Sequence, residues 1–207
     1  MATKITNDNI TSVDAAKLSG TIADARFPAT LPAISGANLT GISAGFTEGT
    51  KVDTTSGVET ALFTGIPSGV TKIFINFDNV SLFISSRPLI TIGDSGGLET
   101  TGYNTTGANI KNGTGIGSTN NTAAFIIGDG TGANDSLSGI LLLSLQDSSD
   151  NTWCMTGTLA GGTSTITIYS SGGSKTLSGE LTQIGITSSA GQSGQNFDAG
   201  EINISYM

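Results

Sequence analysis

Ile73-Phe74-Ile75-Asn76-Phe77-Asp78 sets Ile73, Ile75 and Phe77 on one face and Asn76 and Asp78 on the other. A period of two is the mark of a half-buried strand, because successive side chains leave a pleated backbone in opposite directions. Downstream, Leu89-Ile90-Thr91-Ile92 reads as a second strand, closed by a turn at Gly93-Asp94-Ser95-Gly96-Gly97. Ala123 to Ile127 is a third, ending at Gly128-Asp129-Gly130. Ser138 to Gln146 is apolar on both faces, which predicts a central strand covered from both sides. Trp153-Cys154-Met155-Thr156 alternates again, with Trp153 and Met155 expected in the core. Ser164 to Ser170 and Lys175 to Leu181 read as a hairpin folded at Gly172-Gly173. Gln183 to Thr187 and Ile202 to Tyr206 complete a set of about eight or nine strands with no helical segment, so the class is all-β. An antiparallel β-sandwich head, jelly-roll-like, is therefore expected over residues 58–207. Thr100 to Asn121, rich in Gly, Asn and Thr, is expected to be a long loop and a candidate contact surface.

Residues 1–57 read differently. Single apolar residues recur every three to five positions at Leu18, Ile22, Phe27, Leu31, Ile34, Leu39 and Ile42, separated by Ser, Thr, Gly, Ala and Asn. Pro28, Pro32 and the glycines at 20, 36 and 41 exclude a helix. One copy of such a segment cannot bury enough apolar surface to offset its own ordering. A flexible linker is one reading; in the other, several copies wrap around a common axis and share those seven residues as a core. The expectation is an oligomeric stalk.

Composition excludes several chemistries. The 207 residues include 16 acidic and 8 basic side chains and no histidine, for a net charge of −8. Without histidine there is no Ser-His-Asp triad, Cys-His dyad or imidazole metal ligand. A single cysteine, Cys154, allows no intrachain disulfide and no Cys-rich zinc site. The negative charge disfavours nucleic acid. The longest apolar run, Ile140 to Leu145, is too short to insert across a bilayer. Met1 to Ile10 lacks the basic-then-apolar pattern of a secretory signal, so synthesis in a cytoplasm without ordinary export is expected.

The oxygen-rich residues offer weak candidates. Asp94, Glu99, Asp147 and Asp150 lie near strand ends, but nothing in the sequence brings two of them together for acid–base work. Asp129 to Asp135 and Asp147 to Asn151 could face a calcium ion, yet their composition is that of ordinary turns. Gly113 to Gly117 has no following lysine and opens no helix, so it is no phosphate cradle. No catalytic, cofactor or metal residue is assigned. For a glycan, Tyr103 beside Asn104 is the candidate contact, as an exposed aromatic ring with an amide neighbour.

Lys17 to Ile42 resembles the repeat-like stalk of virion fibre proteins from tailed bacteriophages, especially those of marine phages. The head of such fibres is resembled by Ile92-Gly93-Asp94-Ser95-Gly96-Gly97 with Glu99 to Tyr103, by Asn151-Thr152-Trp153, by Gly172 to Ser178 and by Phe197 to Ile204. The resemblance implies a homotrimeric, non-enzymatic structural protein of the virion, a short tail fibre whose short, extended trimeric β-stalk projects its β-sandwich head for host attachment. It implies an amino-terminal arm docked on other virion proteins, with Ile5, Ile10 and Val13 as anchor residues, and a host-surface glycan as the partner of the head. A capsid decoration protein or head fibre is the alternative, followed by a carbohydrate-binding or depolymerase head.

Overall fold

The computed structural model describes residues 45–55, 57–113, 115–133, 135–162, 166–189 and 197–207. These belong to one compact unit spanning residues 44–207. The expected anchor residues Ile5, Ile10 and Val13 and the stalk residues Leu18, Ile22, Phe27, Leu31, Ile34, Leu39 and Ile42 lie outside the described residues.

The unit is all-β. In chain order its strands are β1 (Thr47–Glu48), β2 (Val52–Asp53), β3 (Ala61–Thr64), β4 (Lys72–Leu82) and β5 (Pro88–Asp94). There follow β6 (Gly97–Leu98), β7 (Tyr103–Lys111), β8 (Gly115–Asn121), β9 (Phe125–Ile126) and β10 (Leu137–Asp147). The last four are β11 (Thr152–Gly161), β12 (Thr167–Thr176), β13 (Gln183–Ser188) and β14 (Phe197–Tyr206). They form two antiparallel sheets. The larger runs β1-β14-β4-β10-β11-β12-β7-β8, with β2 also on β14; the smaller runs β3-β13-β5-β6, with β9 also on β5. The sandwich is thus unequal, nine strands against five, where a jelly roll would divide eight into two Greek keys.

Alternation decides which side chains the sheets bury between them. Ile73, Ile75 and Phe77 of β4, Leu141 and Leu143 of β10, Trp153 and Met155 of β11, and Ile202 and Ile204 of β14 point inward. They meet Ile90, Ile92, Ile184, Ile186 and Phe63 of the smaller sheet in one continuous core. Trp153 and Met155 are core residues, as the alternation around Cys154 implies.

Four expectations are corrected. Thr100 to Asn121 is mainly the hairpin β7–β8, paired from Thr105↔Asn121 to Lys111↔Gly115. Its alternation escapes a hydrophobicity reading because the inward positions beyond Tyr103 are Thr105, Gly107 and Asn109. Asn109 is buried by its bonds rather than by apolarity: its Oδ1 accepts from Asp129 N (2.7 Å) and its Nδ2 donates to Gly130 O (2.7 Å). The Gly172-Gly173 hairpin does not form. Those residues lie inside β12, which pairs with β11 on one side and β7 on the other, and neither has the positive φ that a tight hairpin turn demands. β10 is covered on one side only, leaving Ile140 52% exposed. Finally, β1 and β2 pair with β14, so residues 47–53 belong to the large sheet and not to the arm.

Candidate functional site

Tyr103 opens β7 on its inward parity and is buried, 3% exposed, which removes it as a glycan platform. Its hydroxyl accepts from Ile92 N (2.8 Å) and donates to Glu99 O (2.9 Å), while its ring stands edge-on to Phe125 at 5.0 Å between centroids. Burial raises its phenol pKa to about 12. Asn104, one residue on, is exposed on the opposite face of the large sheet. The sequence pair is therefore split by the pleat.

Beside Tyr103, in register, comes Lys175 of β12 and then Trp153 of β11. The Lys175 ammonium is almost fully buried; it bonds Glu99 Oε2, donates to Thr176 O (2.7 Å) and lies 5.6 Å from the Tyr103 ring centroid. Glu99 Oε1 accepts from Ser178 N (2.8 Å), and the Ser178 hydroxyl lies 2.7 Å from Asp94 Oδ2 and 2.9 Å from Glu99 Oε1. Burial alone would raise the Glu99 carboxyl, but the bonds from Lys175 and Ser178 outweigh it and hold it below the usual range. The Ser178 bond does the same for Asp94. Two of the four candidate carboxylates are thus brought together, but both are held as anions, whereas a general acid needs its pKa raised. The other two act in turns: Asp147 Oδ1 accepts from Ser149 N (2.8 Å) and Asp150 Oδ1 from Thr152 N (2.9 Å). The Asp129 to Asp135 loop is spent in the same way, Asp135 Oδ2 accepting from Gly132 N (2.7 Å) and from the Tyr169 hydroxyl (2.6 Å). Among the described residues no group of three His, Cys, Asp or Glu side chains could hold a metal ion.

The row that carries Tyr103, Lys175 and Trp153 ends at Leu145, and there the loops β3–β4, β10–β11 and β12–β13 enclose a pocket of 360 Å³. Its apolar walls include Leu145, Trp153 and Leu181; Ser148, Asn151 and Glu180 add polar groups. The loops are fastened to one another. Leu145 N donates to Thr71 O (2.9 Å), Leu177 N to Asn151 O (3.2 Å), and Glu180 Oε1 accepts from Gly69 N (2.7 Å) and Ser68 Oγ (2.9 Å). Those last two bonds hold the Glu180 carboxyl below its ordinary range. Asn151 has φ of 57°, a left-handed conformation uncommon outside glycine. Sequence reading missed Glu180 and placed Asn151 only in an oxygen-rich turn; the available signal was polar residues at two loop ends flanking the lone tryptophan's strand.

The outward face of the large sheet is the second feature. Phe74, Leu142, Thr156, Gly172, Thr106 and Asn120 form one cross-strand row, and Asn76, Ile140, Thr158, Ser170, Ala108 and Ser118 the next. Phe46 stacks edge-on against Phe74 at 5.2 Å, beside the half-exposed Ile140. Ile110, Ile116 and Ile168 are exposed at the far end. The outward positions of β11, β12, β7 and β8 carry no charge, while Asp147 at the end of β10 pairs with outward Thr152 and Lys72 of β4 donates to Ser144 Oγ (2.7 Å) on this face. The partly exposed Cys154 lies on this face, between Ser144 and Ser174.

No protein-family model, no curated protein and no solved structure matches the chain.

Proposed function

We propose that the chain is a structural protein of a bacteriophage virion, a short homotrimeric tail fibre whose β-sandwich head attaches to a host surface. The observation that carries this reading is the part of the large sheet's outward face formed by β11, β12, β7 and β8, which carries no charge. In a chain of net charge −8, copies that associate must meet where carboxylates do not oppose one another. A face of Thr, Ser, Gly and Ala with Leu142 and Ile140 of β10 along its edge meets that condition. The all-β head and the resemblance of residues 17–42 to a fibre stalk support the same reading. Attachment then works by avidity: three weak sites on one fibre gain roughly 10²–10⁴ over one site when geometry lets them engage together.

Light scattering on the purified chain tests the proposal. A mass near three times 20.8 kDa that survives dilution is expected. A stable mass of 20.8 kDa would remove the fibre reading.

A further inference from the structure

We propose that the pocket between the loops β3–β4, β10–β11 and β12–β13 binds one ring of a neutral saccharide. The inference rests on the host-attachment reading and moves the glycan site from Tyr103 to the opposite end of the same cross-strand row. Three observations fix the ligand class. The first is size: 360 Å³ is at the small end of the range for ligand pockets, about 300–1,000 Å³, and suits a single ring. The second is the polar set. Glu180 directs both of its protein bonds to Oε1, leaving Oε2 without a partner among the described residues, and the Ser148 hydroxyl and Asn151 amide are likewise unpartnered there. A carboxylate accepts hydroxyl protons, an amide both donates and accepts, and a polyol offers both. The third is charge and apolarity together. The pocket holds an anion and no cation, which turns away sialic or uronic acids and phosphates. Part-exposed Val70 and Leu145 supply the apolar wall against which the C–H face of a pyranose packs, with the buried Trp153 and Leu181 directly behind them. The bonds between the loops and the left-handed Asn151 backbone form the pocket in advance of any ligand.

Trp153 is the chain's one tryptophan, so its emission reports on the pocket directly. The full chain is titrated with the methyl glycosides of glucose, galactose and mannose and with N-acetylglucosamine, following Trp153 emission and ligand-observed saturation-transfer NMR. At least one sugar is expected to give a saturable change. Two variants keep the fold while removing contacts: Glu180→Gln retains an oxygen for Gly69 N and Ser68 Oγ, and Asn151→Gly suits the left-handed backbone. Each should weaken binding about tenfold or more. No saturable change with any of the four sugars, or a change that both variants leave intact, overturns the proposal. The two readings fail separately. A 20.8 kDa monomer that binds sugar removes the fibre and keeps the pocket; a trimer blind to all four sugars does the reverse.

Discussion

Tyr103 illustrates how one residue's parity decides its role. At the start of β7 its ring must face either the core or solvent, and the core side offers Phe125 for the ring together with Ile92 N and Glu99 O for the hydroxyl. Tyr103→Phe keeps the ring and leaves the Ile92 N–H and the Glu99 carbonyl without this partner in a buried site. A loss of about 1–3 kcal/mol in urea unfolding is expected, with the same oligomeric mass and the same sugar response as the parent chain. An unchanged urea midpoint would contradict the assigned bonds. The sequence could not show this. A Tyr-Asn pair reads as a ligand platform or as core plus surface with equal ease, and only the pairing of Tyr103 with Lys175 settles which face is inward.

At the scale of elements, strands whose inward residues are apolar were readable, and those whose inward residues are small or polar were not. β4, β5 and β13 alternate Ile and Phe with other residues and emerge where the periodicity puts them. β7 and β12 face inward through Thr105, Gly107, Asn109, Ser171 and Gly173, residues that composition assigns to loops and turns. What places them in strands is close backbone approach. A Cβ on Gly173 would lie 2.5 Å from Asn104 O and 2.7 Å from Thr105 Cα, whereas one on Gly172 would meet nothing nearer than Met155 O at 3.8 Å. Gly173→Ala is therefore expected to cost about 2 kcal/mol or more, since backbone must shift, while Gly172→Ala should be neutral or slightly stabilising. Equal effects in denaturant titrations would mean that the two glycines are not consecutive residues of a central strand. The Glu99–Lys175 tie makes a second prediction. Because Glu99 titrates lower when folded than its ordinary value of 4.5, its contribution is complete above that pH and is lost as pH falls through the folded value. Glu99→Gln should flatten that acid limb. It should also cost about 2–4 kcal/mol at neutral pH, less than a fully enclosed pair would, because the Glu99 side chain retains 22% exposure. A stability curve below pH 5 that runs parallel to the parent's would refute the assignment.

At the scale of the molecule, the distribution of charge matters more than its total. Two dozen charged side chains occur in the chain, yet none faces outward from β11, β12, β7 or β8, so the repulsion expected between copies at −8 is weakest across that face. If copies meet there, the attraction is apolar and the opposing force is long-range and screenable. Raising salt from 0.01 to 0.15 M shortens the Debye length from about 30 to about 8 Å, which should strengthen the trimer rather than dissolve it. An interface built from ion pairs would respond in the opposite sense. Ile140→Lys provides the matching test. Ile140 is half exposed and inward-facing Leu141 and Leu143 are untouched, so the sandwich itself should fold with unaltered strand content. In an assembled trimer the same lysine would be trapped against apolar and hydroxyl surface with no carboxylate opposite, at a cost of several kcal/mol per copy. The expected result is a folded chain of 20.8 kDa whose mass no longer rises with salt, read by light scattering alongside circular dichroism. A variant that stays trimeric would show that the outward face of the large sheet is not where the heads meet. The trimer would then be held elsewhere, with the apolar stalk core expected at Leu18 to Ile42 as the alternative, and salt would still not dissolve it.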